Sequence, residues 1–178
     1  MRMLRGRGSG RIAVAAGLAL ACNEGLKPEP LCGPGFVGIC GTVTFVGALP
    51  DSTDAVYIVA YQTFPQSPAE LFSFQPVPPT QLALDSASRA KPQVYTLPLP
   101  NGTYQWVLAA WKKEGSLSTA NADSLLREAG FYHDDGDTTS HGSGIVTVNR
   151  SGTGLVDFVV DFTNMHKVSY YFPAPPHP

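Results

Sequence analysis

The chain has 178 residues, of which 43% are apolar and 15% are charged, with a formal net charge of −2 at pH 7. Four of its twelve basic residues are arginines within the first eleven positions, so the rest carries eight basic against fourteen acidic residues. The length suffices for one domain with a hydrophobic core. An acidic body without a basic run is not expected to bind nucleic acid, because that binding rests on neutralising phosphates.

Residues 1–21 have the pattern of a secretory signal peptide, with a basic start followed by ten apolar residues. A membrane-spanning helix needs about 20 apolar residues, so this run is short for a span. The sequence LALAC at 18–22 resembles the lipobox of bacterial lipoproteins, in which cleavage precedes a cysteine that receives the lipid. We therefore predict a lipid on Cys22 that anchors the protein to a membrane. An ordinary signal peptide or an uncleaved anchor are the alternatives.

Residues 22–37 are predicted to form an N-terminal tether with a cysteine loop. Cys32 lies in this tether, and Cys40 lies at the start of the predicted domain, residues 38–164. The total of three is odd for an exported protein, and lipid on Cys22 would leave Cys32 and Cys40 as a pair. Their seven intervening residues contain three glycines and a proline, so the chain can turn back and close a disulfide. Two reduced, buried thiols are the alternative.

Period-two alternation of apolar and polar residues predicts strands along most of residues 38–164. The run 55–64 is apolar on both faces, as in a covered central strand, whereas the prolines of 93–100 indicate a sheet edge. Residues 100–113 predict a turn and then one long strand with Tyr104 and Trp106 on the same side. The remaining strands are predicted at 41–47, 144–150 and 155–162, the last with Val156, Phe158, Val160 and Phe162 on one face.

Only the segment 121–130, NADSLLREAG, has a helical pattern, with Asp123 as a cap and Gly130 as a stop. Six to seven strands and one short helix predict an all-β fold, an antiparallel, immunoglobulin-like β-sandwich.

Two segments do not fit regular strands. Residues 65–92 are a long connection rich in proline, in which we predict either an extra edge strand near 71–74 or a loop that binds a partner. Residues 165–178 end in YYFPAPPHP, and three aromatics with four prolines predict an extended tail that hangs free or lies along another surface.

Residues 38–163 resemble the prealbumin-like domains of carboxypeptidase-regulatory-like and transthyretin-like proteins. The resemblance is carried by three motifs of that family: a G-x-V-x-F strand, a V-x-V-x-A strand and a P-x-G-x-Y corner. Their positions here are Gly41, Val43 and Phe45; Val56, Ile58 and Ala60, with isoleucine at the second valine position; and Pro100, Gly102 and Tyr104. It implies a prealbumin-like sandwich and a non-catalytic accessory or adhesion module, a type often found in cell-envelope lipoproteins.

The most polar stretch is the HDDGD run that begins at His133. Asp134, Asp135 and Asp137 could supply oxygen ligands to calcium, although the spacing of an EF-hand is missing. The alternative is a solvated loop in which Asp and Gly form turns. No cofactor is expected apart from the covalent lipid, and no set of residues in the sequence predicts an enzyme.

Aromatic residues outside the predicted core are the candidates for contacting a partner. Trp106 and Trp111 should lie on opposite faces of their strand, with Trp111 exposed beside two lysines. The sequence thus predicts a non-catalytic, extracytoplasmic module, in the periplasm or on the outer surface of a bacterium, that docks on another membrane or envelope protein. The alternative is an envelope domain that binds carbohydrate or calcium. The candidate contact residues are Trp111, Phe72, Phe74, Tyr170, Tyr171 and Phe172.

Overall fold

A computed structural model describes residues 32–134, 142–149 and 155–172. Within these ranges the chain forms ten strands and three one-turn α-helices, together with a 3-10 helix at Pro68–Phe72. The strands are β1 (Gly38–Val46), β2 (Thr53–Tyr61), β3 (Gln75–Gln81), β4 (Gln93–Pro98), β5 (Gly102–Tyr104), β6 (Trp106–Lys113), β7 (Leu126–Phe131), β8 (Val146–Val148), β9 (Phe158–Asp161) and β10 (His166–Lys167). The α-helices are α1 (Ser86–Arg89), α2 (Ala122–Leu125) and α3 (Val168–Tyr171).

The strands form a β-sandwich, which confirms the predicted fold class. One sheet has the order β4-β1-β9 and the other the order β10-β7-β6-β2-β3, while β5 and β8 form a separate two-stranded ribbon. Pairing is antiparallel except between β1 and β9, where Val43 lies opposite Phe158 in a parallel ladder. The described residues contain more strands than the six to seven predicted, because several are only two to four residues long.

The core lies between the two large sheets. The alternation predicted in 155–162 is confirmed, since Val156, Phe158, Val160 and Phe162 are all buried there. The predicted edge strand is also confirmed as β4, whose Tyr95 hydroxyl donates to the backbone oxygen of Val156 at 2.7 Å. This bond ties one edge of the smaller sheet to the segment that enters the other edge.

The segment 100–113 is not one strand. It breaks at Gln105, whose N–H donates to the Tyr61 carbonyl at 2.8 Å, so that β5 joins the ribbon while β6 joins the five-stranded sheet. Tyr104 therefore packs in the core and Trp106 on the opposite face of the sheet, and the prediction that they share a side is wrong. Tyr104 donates to the Pro100 carbonyl at 3.0 Å and fixes the corner.

The predicted helix at 121–130 is also wrong beyond its first turn. Only α2 is helical; the chain then becomes β7, which pairs with β6 through Trp111 and Arg127. Asp123 does not cap α2 but accepts from the Ser169 N–H at 2.7 Å. Gly130 lies inside β7 with φ of 141°, where a Cβ would overlap the Val159 carbonyl of β9. Glycine thus lets the two sheets approach at this edge.

The connection 65–92 contains the extra edge strand that was one of two predictions for it, but at β3 rather than at 71–74. Leu71 and Phe72 end the 3-10 helix instead. Three of the seven residues of β3 are prolines, at 76, 78 and 79, which suits an edge because proline has no N–H to donate to a further strand.

The C-terminal segment does not begin as an extended tail. His166 and Lys167 form β10 against β7, and residues 168–171 form α3, so the sandwich continues past the boundary predicted at 164. Residues 173–178 lie outside the described part of the chain.

The predicted disulfide between Cys32 and Cys40 is present, with the two Cα atoms 5.7 Å apart. It joins the segment before β1 to the third residue of that strand. Cys22 lies outside the described residues, so its lipidation stays a prediction.

Candidate functional site

A second hydrophobic cluster covers the outer face of the five-stranded sheet, opposite the core. Its buried members, Val59, Tyr61, Trp106 and Leu108, come from the two central strands β2 and β6. We call it the outer cluster. Six half-buried residues pack against it: Tyr57, Phe64, Phe74, Ala110, Phe131 and Tyr171. A sheet face that would ordinarily meet water is therefore largely apolar.

Trp106 is the centre of the outer cluster. The ring centroids of Phe64, Tyr171 and Tyr61 lie 4.7, 5.2 and 5.5 Å from that of Trp106. Phe64 follows β2 and Tyr171 belongs to α3, so the indole is covered by segments from two distant parts of the chain. Aromatic pairs at these distances contribute beyond the area that they bury, by about 1 kcal/mol each.

An open groove runs across this face beside the 3-10 helix. It has a volume of about 270 Å³, and its apolar walls include Tyr57, Phe72, Phe74 and Pro79. We call it the aromatic groove. Lys112 lies at its rim, where it forms an ion pair with Asp54. The groove therefore presents apolar walls and a rim charge that is already compensated.

The inner wall of the aromatic groove is fixed by Tyr61. Its hydroxyl donates to the Leu71 carbonyl at 2.6 Å, which holds the 3-10 helix onto the sheet. Burial raises the pKa of this phenol well above its usual range. The phenol therefore stays protonated, and able to donate this bond, in alkaline solution in which an exposed tyrosine ionises.

Glu128 of β7 is a buried carboxylate with two donors. Its Oε2 accepts from the Tyr171 hydroxyl at 2.9 Å and from Nδ1 of His166 at 2.8 Å. Burial and the neighbouring carboxylate raise the pKa of Tyr171. A buried charge needs such partners to offset its lost hydration, so Glu128 fastens both β10 and α3 to the sheet.

A second opening, which we call the polar cleft, lies where β7 approaches β9 and β10. Two contiguous cavities of about 330 and 380 Å³ form it, and both are lined by Phe131, His133, Asn164 and His166. Asp157 and Asp161 line one end and Tyr170 and Tyr171 the other. The cleft thus combines hydrogen-bonding groups with aromatic walls.

The acidic run predicted as a calcium site is described only at its start. Asp134 accepts from the Tyr132 hydroxyl at 3.1 Å and from the Ile145 N–H at 3.5 Å. Asp135 and Asp137 lie outside the described residues. Among the residues that are described, no three His, Cys, Asp or Glu side chains come close enough to hold a metal ion. Calcium binding stays a prediction.

Trp111 is not the exposed anchor that the sequence predicts. The two tryptophans do lie on opposite faces, but Trp111 is in the core, 5% exposed, and Nε1 donates to the Thr53 hydroxyl at 2.7 Å. Both are buried because the core covers one face of the sheet and the outer cluster covers the other.

The other predicted contact residues fall around the outer cluster. Phe72 is exposed and Phe74 half-buried in the aromatic groove. Tyr170 is 66% exposed in the polar cleft, whereas Tyr171 packs on Trp106 and is bonded to Glu128. Phe172 lines a small cavity of about 50 Å³ beneath α3. Tyr171 therefore holds this domain together rather than standing free for a partner.

Sequence reasoning missed Glu128, His166 and Asn164. Glu128 was predicted to lie on a helix, whereas the segment LREAGF is strand β7. Interpreting this segment as a strand would have placed the Glu128 charge among apolar neighbours, which is the signal of a buried carboxylate.

Comparisons with protein-family models, with curated proteins and with solved structures found no match. The resemblance to carboxypeptidase-regulatory-like domains stays a prediction carried by the residues quoted above. Within the described ranges, no helix is both long and apolar enough to cross a membrane.

Proposed function

We propose that the protein is a non-catalytic, extracytoplasmic interaction module, tethered to a membrane by a lipid on Cys22, that docks on another membrane or envelope protein. The outer cluster is the observation that carries the proposal. It is a second apolar layer on the outside of the sandwich, and the chain covers it only in part. Contiguous apolar surface of this kind marks interaction sites in soluble domains.

The aromatic groove is the part of the outer cluster best suited to a partner. Phe72 is 38% exposed at its edge, and Tyr57 and Phe74 are half-buried in its walls. Aromatic side chains in preformed pockets dominate the binding energy of interfaces. A partner would therefore insert an apolar side chain and cover Phe72.

Strand addition to the five-stranded sheet is a poorer mode of docking. The outer edge of β3 contains three prolines, and β10 at the other edge of that sheet has only two residues. Strand addition needs a row of free backbone N–H and C=O groups. This favours contact through side chains on the sheet face.

Docking is tested by comparing two substitutions. Tagged protein with Phe72→Glu, which places a charge in the groove, should lose the partner recovered from native membranes by the unchanged protein. Val94→Glu is the matched control, because Val94 is an exposed residue of β4 in the other sheet. If the two variants recover the partner in equal amounts, docking through the aromatic groove is contradicted.

The tether is tested separately by intact mass of the membrane-extracted protein. We expect a chain that begins at Cys22 and carries the mass of acyl groups, and Cys22→Ser should release the protein from the membrane fraction. A mature chain that retains residues 1–21 without lipid would overturn this half of the proposal while leaving the groove untouched.

A further inference from the structure

We propose that the polar cleft binds carbohydrate, with a sugar ring lying between His133 and His166. The inference goes beyond the docking function, because the cleft lies at the β7–β9 edge and shares none of the groove residues Tyr57, Phe72 and Phe74.

The first argument is the orientation of the two histidines. Nδ1 of His166 faces Oε2 of Glu128 at 2.8 Å, and Nδ1 of His133 faces the Gly142 carbonyl at 2.9 Å. Carboxylate and carbonyl oxygens only accept, so Nδ1 carries the hydrogen in both rings. This leaves Nε2 of each ring for a ligand, since neither Nε2 has a partner among the described residues.

The second argument is the excess of acceptors in the lining. Asp157 and Asp161 each use Oδ1 to bind a threonine, Thr42 and Thr163 respectively. Oδ2 of Asp157 accepts no hydrogen bond from the described residues. No Lys or Arg stands among the described residues of the cleft. Such a lining suits a ligand rich in hydroxyl donors and disfavours a phosphate or a carboxylate.

The third argument is the pair of flat walls. The His166 ring stacks on Tyr170 with centroids 4.4 Å apart, and the His133 ring packs on Phe131 at 4.2 Å. Such rings pack against the C–H faces of a sugar, while its hydroxyl groups point to the surrounding acceptors. Asn164 adds a side chain that both donates and accepts.

The size of the cleft agrees with a small sugar. Each cavity falls at the lower end of the range of small-molecule pockets, which is about 300–1,000 Å³. The two cavities together have room for a disaccharide.

The test is a titration of isotope-labelled protein followed by the NMR signals of the imidazole nitrogens. Cellobiose, maltose, lactose and diacetylchitobiose are the probes, with glycerol and putrescine as comparison ligands. We expect at least one disaccharide to shift Nε2 of both His133 and His166 in a saturable way. No saturable shift with any of the four, or a response to putrescine or glycerol alone, would overturn the proposal.

Two variants separate this cleft from the aromatic groove. Tyr170→Ala removes an exposed wall of the cleft, and we expect the dissociation constant for the bound disaccharide to rise about threefold to tenfold. Phe72→Ala is the control and should leave that constant unchanged while weakening docking. Unchanged sugar binding in Tyr170→Ala would overturn the assigned site, whatever the outcome for the partner.

Discussion

The hydroxyl of Tyr171 donates to Oε2 of Glu128 at 2.9 Å, and this bond joins α3 to β7 across 43 residues of sequence. Because the carboxylate is buried, loss of this donor leaves it short of a partner. We expect Tyr171→Phe to lower the free energy of unfolding by about 1–3 kcal/mol, measured by urea denaturation.

The neighbouring tyrosine provides the control for this prediction. Tyr170 has an exposed side chain, so Tyr170→Phe should change the free energy of unfolding by less than about 0.5 kcal/mol. Equal losses in the two variants would show that the bond to Glu128 is not what fastens α3.

Tyr61 and Tyr95 predict a loss of stability in alkali. Burial raises the pKa of both phenols, so above pH 10 the unfolded chain releases protons that the folded chain retains. The free energy of unfolding therefore holds its full value below about pH 10 and falls as pH rises, by about 1.4 kcal/mol per pH unit for each phenol. Urea denaturation between pH 9 and pH 11 measures this slope.

Single substitutions assign the alkaline slope to its source. Tyr61→Phe should remove about one phenol's share of the slope, and the double variant with Tyr95→Phe should remove both shares. An unchanged slope in the double variant would place the effect in other groups.

At position 130, we expect the free energy of unfolding to fall steeply when glycine is replaced by any residue with a side chain. A methyl group there would overlap the Val159 carbonyl, and φ of 141° is unfavourable for any other residue. We expect Gly130→Ala to lower the free energy of unfolding by about 3 kcal/mol. Gly33→Ala is the matched control, since a Cβ at Gly33 meets nothing within 4 Å, and it should be nearly neutral.

Because of the disulfide between Cys32 and Cys40, we expect the stability of the fold to fall when reductant is added. Closing a loop with a sequence separation of 8 restricts the unfolded chain and stabilises the fold by about 2.5 kcal/mol. Reduction should therefore lower the urea midpoint of the unchanged protein. Cys32→Ser should have that lower urea midpoint already without reductant, and adding reductant should not change it. A urea midpoint that reductant leaves unchanged in both proteins would contradict the prediction.

Strict alternation was the most informative signal in the sequence. The run 155–162 was predictable because one of its faces meets the core and the other meets solvent, which leaves a period of two. The edge position of β4 was predictable from its prolines. In both cases the local pattern and the tertiary environment impose the same constraint.

The failures occurred where tertiary structure decides between local alternatives. Leu125 and Leu126 suit a helix, but pairing with β6 makes the chain extended from Leu126 onward. The odd sequence separation of Trp106 and Trp111 correctly placed the two side chains on opposite faces of their strand. This spacing could not reveal that both tryptophans are buried, because it does not show whether one face of the sheet or both faces are covered by other residues.

The residues of the polar cleft could not have been assembled from the sequence. His133 follows β7, Asn164 lies in the turn after β9 and His166 begins β10, so only the close approach of β7 and β9 at Gly130 brings them together.

The disulfide has a mechanical consequence for the whole domain. Tension applied through the residues ahead of Cys32 passes across the bridge to Cys40, so residues 33–39 carry no load. Cys40 belongs to β1, the middle strand of its sheet, which pairs with β4 on one side and with β9 on the other. A pull from the N-terminal side therefore loads a strand that is paired on both sides, rather than the residues that precede it.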